Sequence, residues 1–321
     1  MTTKPISKYS RGLLDFHNHS TYSDGGDTPA ELVRRAKSHG VSAMALTDHH
    51  THTGLPEFRE ACKEQGIFAI PFGAEIAAEL PPEVLSPTDN ESPDLVLLGK
   101  NADESPMRGY QVRYTKDVRE RFLPETLYSL EKVGFEIPPV DLDAQCATMH
   151  CPPDILHSFV SHGKNLERLI KYVKSVDPEV AAEAVREKPI RFANKHLYAV
   201  GCPAYVKRFQ GFNVDDAINL AGEMNCKLFI AHPGGEYGFL SDAMLNHFIE
   251  KGVQGIEVRS YFNSPEQNAK FDRLATEHKL IRSGGSDCHG NNGPFKSGIY
   301  DKPQNQLPKD ILEELWDNLP S

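Results

Sequence analysis

The sequence predicts an α/β fold, a parallel sheet or barrel interrupted by a helical insertion. Three observations carry that expectation. Apolar strands alternate with helices through residues 12–75, and the alternation returns from about residue 213 onward. A strand followed by a crossover helix comes back in the same direction, so this alternation builds parallel sheets. Between the two stretches, from about 105 to 195, the pattern is mainly helical, which reads as an insertion capping one end of the sheet. At 321 residues the chain is within reach of one barrel plus such an insertion.

Residues 12–17 read as a strand. Thr28 is an N-cap with Pro29 at the first helical position, and "AELVRRAKSHG" follows as a helix ending at Gly40. "VSAMALTD" is a strand ending at Asp48, "GLPEFREACKEQG" a helix, and "IFAIPFGAE" one strand ending at Glu75. The Pro- and acid-rich "AAELPPEVLSPTDNESPD" is a loop, and "LVLLG" another strand. Later come "NVDDAINLAGEMN" (helix), "CKLFIAHPGG" (strand), "SDAMLNHFIEKG" (helix), "VQGIEV" (strand), "SPEQNAKFDRLATEHK" (helix) and "LIRSGGSDCHG" (strand). The expected division is 12–100 with 200–300 as one body, 101–199 as the insertion and 301–321 as a tail helix.

Composition narrows the function classes. No apolar run approaches the roughly 20 residues of a membrane span, and the N-terminus lacks an apolar signal core. The six Cys form no CxxC pair, so reduced thiols in the cytoplasm are expected. A net charge of −10 argues against long nucleic acid, which is held through many Lys and Arg phosphate contacts. It leaves open a small phosphorylated substrate in a locally positive cleft.

Potential metal ligands collect at the strand ends. The first strand runs into His17, His19 and Asp24, the second into Asp48, His49 and His50, and the third into Glu75. Later strands end at His232, Asp287 and His289, and Glu257 lies within a strand. In parallel α/β folds, functional groups gather at the C-terminal ends of strands. HxH on a strand puts both imidazoles on one face. The set His17, His19, Asp24, His49, Glu75, His232, Asp287 and His289 is therefore read as a metal centre. His39, His157, His162, His196, His247 and His278 read as ordinary helix or helix-end residues. Imidazole and carboxylate without thiolate suit Zn, Mn or Fe, and eight ligands imply two or three ions. Such a cluster activates water and clamps phosphate oxygens, so hydrolysis of phosphoesters is expected.

Taken in order, "HNHSTYSDG", "TDHH", "GAE", "AHPGG" and "GGSDCHG" resemble the PHP family, the polymerase and histidinol phosphatase family. The layout, with helices before "GCPAYV", is most similar to its stand-alone phosphoesterases. The resemblance spans residues 12 to about 293 and implies a distorted (β/α)7 barrel with a helical insertion and a trinuclear centre. It implies His17, His19, Glu75 and Asp287 around a first metal, Glu75 bridging to a second held by His232, and Asp24, His49 and His289 around a third. Asp48 would orient an imidazole, and His232 or His289 would protonate the leaving oxygen after attack by a metal-activated hydroxide. Family members usually carry a second-metal His before the "LLG" strand end. Val96 is read at that position here, so the second ion is expected to be weak, absent or served by another residue, with His150 a candidate. His50 stands where the family more often has Asp. His50 and His52 are expected to touch substrate or face solvent.

Arg113, Arg119, Arg121, Lys207, Arg208 and Arg259 are candidate grips for a distal phosphate or sugar, with Arg113, Lys207, Arg208 and Arg259 foremost. The leading expectation is a phosphatase or cyclic phosphodiesterase on phosphorylated ribose or nucleotides. The alternatives are a nuclease trimming short RNA from its 5′ end and a non-catalytic metal-binding regulatory module. A metal-dependent amidohydrolase is disfavoured, since those barrels often place Lys, not a residue like Glu75, at the metal bridge.

Overall fold

The first helix starts where its residue types dictate. Glu31 N–H donates to the Thr28 hydroxyl at 3.3 Å, and Thr28 N–H donates to the Glu31 carboxylate at 2.9 Å, a reciprocal cap followed by Pro29. This helix, α1 (Pro29–Ser38), buries Leu32, Val33 and Ala36 against the sheet. The structure is a computed structural model and describes residues 6, 8–86, 89, 91–137, 156, 159–160, 163–207, 209–234, 240–290 and 305–321. Arg208, His150, His157, His162, Cys146 and Cys151 lie outside the described residues.

Among the described residues eight strands form two sheets. β1 (Leu13–Asp15), β2 (Val41–Met44) and β3 (Phe68–Ala69) make a parallel three-stranded sheet. β4 (Phe72–Ala77), β5 (Asp94–Gly99), β6 (Lys227–Ile230), β7 (Gly255–Ser260) and β8 (Ile281–Gly285) make the second. Among the described residues no continuous ladder closes the two into one barrel. Hydrogen bonds between extended segments join their edges instead. Past β1 and β8, Phe16 N–H donates to Gly284 O (3.0 Å), Asp287 N–H to His17 O (2.9 Å) and His19 N–H to Cys288 O (2.9 Å). Past β2, Glu75 N–H donates to Asp48 O (3.2 Å) and His50 N–H to Glu75 O (2.7 Å).

Two strand expectations are corrected. "IFAIPFGAE" is two strands, with Pro71 between them. Proline has no N–H for a ladder and fixes φ, so the chain leaves the first sheet there and starts the second. Glu75 consequently lies inside β4 rather than at its end. The sheet is also not uniformly parallel, because β5 runs antiparallel to both β4 and β6. Among the described residues no crossover helix links β4 to β5, and the segment between them carries a short 3-10 turn at Pro82–Val84. Without the crossover, the returning strand lies antiparallel.

The other α-helices with bounds among the described residues are α2 (Leu55–Gln65), α3 (Ser105–Asp117), α4 (Leu123–Lys132), α5 (Gly163–Val176), α6 (Ala182–Glu187), α7 (Pro189–Ala193), α8 (Val214–Glu223), α9 (Asp242–Lys251), α10 (Pro265–His278) and α11 (Ile311–Asn318). α11, the expected tail helix, buries Ile311, Leu312 and Leu315, and its Glu314 accepts from the Arg282 guanidinium at 2.8 Å beside β8. Phe16, Phe58, Phe72, Phe229, Phe248 and Phe271 are fully buried in the core. Cys62, Cys202, Cys226 and Cys288 are free thiols. No helix among the described residues is long and apolar enough to cross a membrane.

Candidate metal centre

The segments that follow β1, β2 and β8 stay extended and bond to one another, so their side chains converge. Gly285 permits a close approach of β8 to the His17 segment: a Cβ there would lie 2.3 Å from His17 N. Asp287 (φ 54°), His232 (φ 24°) and His50 (φ 56°) all hold the left-handed backbone conformation that non-glycine residues avoid. Strain of this kind persists only where the surroundings enforce it, and it concentrates at functional sites.

All eight expected ligands come together. Glu75 is the hub. Its Oε2 lies 3.2 Å from His17 Nε2, 3.2 Å from His19 Nε2 and 3.1 Å from His49 Nδ1, and its Oε1 lies 3.1 Å from His232 Nε2. Asp287 Oδ1 is 3.0 Å from His19 Nε2 and 3.6 Å from His17 Nε2. Asp24 Oδ2 is 3.2 Å from His289 Nε2 and 3.7 Å from His49 Nε2. The ligand atoms fall into four overlapping groups, each within 4.8 Å: His19–Asp24–His49–His289, His17–Glu75–His232, His17–His19–Asp287 and His49–Glu75–Asp94. The side chains of His17, His19 and Glu75 are fully buried, whereas Asp24 (18 %) and His49 (14 %) mark the open side. His19 Nδ1 is a buried atom with no hydrogen-bond partner among the described residues. Imidazoles and carboxylates crowded at this depth, with a polar atom left over, fit divalent ions and are hard to explain as a self-sufficient core.

Electrostatics point the same way. Burial pushes the His19 imidazole down, but the Asp287 and Glu75 carboxylates outweigh it and raise it to about 10. His232 is raised to about 9 against the same burial, by Glu75. His17 is raised well above its ordinary value, burial again being overcome by Glu257 and Glu75. Burial opposes ionisation of Asp24, Glu75 and Asp287, yet the imidazoles hold all three below the usual carboxylate range. For the metal-free chain the signs follow. The imidazole contribution to stability is complete below about pH 6.5 and is lost as pH rises through about 9–10. The carboxylate contribution is present above about pH 4 and is lost as pH falls below it. Metal ligation needs neutral imidazole. Metal binding at pH 7 is therefore expected to expel at least one proton from His19 or His232, and affinity is expected to rise from pH 7 to pH 9. Calorimetry in buffers of different ionisation heat reads this directly. A binding heat independent of buffer would contradict it.

Among the described residues Asp48 bonds to serines and not to an imidazole. It accepts from Ser20 N–H (2.6 Å), Ser20 Oγ (2.7 Å) and Ser23 Oγ (2.7 Å), tying down the turn that carries Asp24. Glu257 lies behind an imidazole instead, 2.8 Å from His17 Nδ1. Val96 shares the Glu75 face but offers no donor to an ion. Val96 pairs with Glu75 across the sheet and is fully buried. Because β5 runs backwards, its first residue, Asp94, reaches the ligand end and joins His49 and Glu75. The notion that strands deliver function at their C-termini concealed Asp94. The long acidic loop before "LVLLG", with no helix to turn the chain, was the available signal.

His50 and His52 neither face solvent nor join a ligand group among the described residues. His50 Nδ1 is 2.6 Å from Tyr110 Oη and its ring stacks at 3.7 Å on Tyr114, while His52 Nε2 is 3.7 Å from Glu104 Oε2. Helix α3 covers both. Arg259 is turned away from the centre and held by Asp272 at 2.6 Å. Strand alternation alone would put it on the Glu257 face, but the β7–β8 register shifts between Glu257 and Arg259. Lys207 lies 3.4 Å from Glu79 and 3.5 Å from Glu91. Arg121 is bound by Asp117 at 2.6 Å, and Arg119 lies 2.9 Å from Glu120. Arg113 is exposed, over the Phe212 ring on the same helix as Tyr110 and Tyr114. His39, His196, His247 and His278 lie on helices or at their ends.

A family model described as PHP domain matches residues 15–111. A 5′-3′ exoribonuclease of Haemophilus influenzae is 38% identical over 307 residues, covering 94% of this chain and 97% of that protein. The chain belongs to the PHP family. A second relative, a 3′,5′-nucleoside bisphosphate phosphatase of Chromobacterium violaceum, is 28% identical and covers 95% of this chain and 96% of its own. A solved chain from Bifidobacterium adolescentis, 22% identical, superposes with a TM-score of 0.68 and covers 95% of each chain, which establishes the shared fold. The PHP match runs from the last residue of β1 through β5 and holds the candidate ligands from His17 to Asp94, while His232, Asp287 and His289 lie beyond it.

Proposed function

We propose that this PHP chain is a metal-dependent phosphoesterase acting on the phosphate esters of ribose or nucleotide substrates. One observation carries the reading: four overlapping ligand groups sharing Glu75, His17, His19 and His49 at a single buried centre. Two or three ions of the Mn, Fe or Zn kind fit that number of donors. When bound, such ions supply Lewis acidity that neutralises phosphoryl oxygens and makes water a nucleophile near neutral pH. The side chains do the rest. His17, His19 and Glu75 form the buried wall, His232, Asp287 and His289 flank it, and Asp24 and His49 form the open side where a phosphate would enter. Asp48 holds the Asp24 turn. His289 Nδ1 is engaged by the Asp287 carbonyl at 2.9 Å and His232 Nε2 by Glu75 at 3.1 Å, so either imidazole would pass a proton to the leaving oxygen only where it is not committed to an ion. The edge-bonded sheets are read as the distorted (β/α)7 barrel, with residues 101–199 as its insertion. Arg113 is the candidate cation best placed to grip substrate, since its helix packs on His50.

The H. influenzae relative favours a second reading, removal of nucleotides from the 5′ end of short RNA. One experiment separates the two. The protein is stripped of metal, reloaded with Mn, Fe or Zn, and offered nucleoside 3′,5′-bisphosphates, ribose cyclic phosphates and short 5′-phosphorylated RNA. Orthophosphate or ring opening from the small esters, lost in His17→Ala and Asp287→Ala, supports the first reading. Mononucleotide release from RNA as the fastest reaction supports the second. No product from any of them, with metal bound, sinks both.

A further inference from the structure

We infer that Glu257 is a positioning residue that sets two metal ligands at once, through the His17 ring and the His232 backbone; the inference rests on the metal-centre reading above. Glu257 sits inside β7 rather than at a strand end, and it is fully buried. Its Oε1 accepts from His17 Nδ1 at 2.8 Å. That bond fixes the ring so that Nε2 is the atom turned to Glu75 and Asp287. A carboxylate on the far nitrogen of a ligating imidazole sets its orientation and raises its basicity. Its Oε2 accepts from the backbone N–H of His232 at 2.7 Å. His232 there holds φ 24°, a conformation its side chain disfavours, and from it Nε2 reaches Glu75 Oε1 at 3.1 Å. One carboxylate thus fastens the segment after β1 to the segment after β6. Both oxygens are committed, so Glu257 acts through His17 and His232 rather than on an ion.

The amide analogue isolates this role. In Glu257→Gln the side chain keeps its shape but has one acceptor oxygen and one NH2 group. If the oxygen faces His17, the NH2 meets the His232 N–H, donor against donor. If it faces His232, the NH2 donates to His17 Nδ1 and forces the proton onto Nε2, the nitrogen needed for metal. Either arrangement breaks one of the two settings.

The test titrates Co2+ and Mn2+ into metal-free wild type, Glu257→Gln and Asp272→Asn, the last removing the neighbouring Arg259 partner as a control on β7 packing. Expected in Glu257→Gln are about 10- to 100-fold weaker binding of at least one ion and an altered Co2+ visible spectrum, with the far-UV signal of the metal-free chain retained. Asp272→Asn is expected to keep the wild-type affinity and spectrum. A measurement on wild type needs no variant to fold: in the Zn2+-loaded protein, 15N-histidine spectra should show His17 protonated at Nδ1. Wild-type affinity and spectrum in Glu257→Gln, or a His17 without a proton on Nδ1, overturns the inference while leaving the metal centre standing. A wild-type chain that takes up no ion overturns both.

Discussion

Glu75→Gln is expected to strip the centre of more than one ion and to reduce phosphoester hydrolysis about 10^3-fold or more, the scale on which losing a single pre-organised electrostatic group already costs 10^2–10^3. Glu75 touches His17, His19, His49 and His232, each within 3.2 Å. It belongs to two of the four ligand groups. Its removal also takes away an anion that raises His17, His19 and His232. Breaking a buried charge set by removing one partner costs about 3–5 kcal/mol, so the metal-free variant should also melt well below the metal-free wild type. Elemental analysis of ions per chain, turnover and thermal midpoints check this together. An unchanged ion count would show that Glu75 is a structural acid and not the shared ligand.

Asp94→Ala is expected to remove one ion per chain and about 10^2-fold of activity, whereas Asp94→His keeps the ion. The reasoning is geometric. Asp94 opens β5, pairs with Ala77 on β4, and its backbone oxygen accepts from Ala231, next to His232. Directly paired residues and their i+2 neighbours share a face, so Asp94 lies on the face of Val96 and Glu75. A carboxylate in place of an imidazole makes the site harder, favouring Mn over Zn, and Asp94→His should reverse that preference. Competition between Mn2+ and Zn2+ for the two proteins reads it. Equal ion counts in wild type and Asp94→Ala would return the second ion to the weakened state expected from Val96.

The ligands were legible because the chemistry is local in sequence. HxH on an extended segment, "TDHH" after a strand, "GAE" and "SDCHG" each announce polar groups where an apolar strand should end, and repetition of that signal pointed to one centre. Cap and turn residues were equally local: Thr28 with Glu31 starts α1, and Gly66, in the left-handed region at φ 64°, stops α2. The direction of β5 was not legible, since an apolar run reads the same whichever neighbour it pairs with, and with it Asp94 stayed hidden. The buried ends of His50 and His52 depended on α3, which is remote in the chain. Arg259 and Lys207 look in sequence like any available cation, and only the β7 register shift and the placement of Glu79, Glu91 and Asp272 show them already matched.

By itself, then, the sequence determined the residue types at strand ends, the alternation of strands with helices and the donor chemistry of the centre, because each follows from periodicity and side-chain chemistry within a few residues. Tertiary structure alone decided which donors share an ion, that Glu257 rather than Asp48 backs an imidazole, and that Asp94 faces the ligands. Those depend on pairing between segments as far apart as His17 and Glu257, and no local preference encodes a partner 240 residues away.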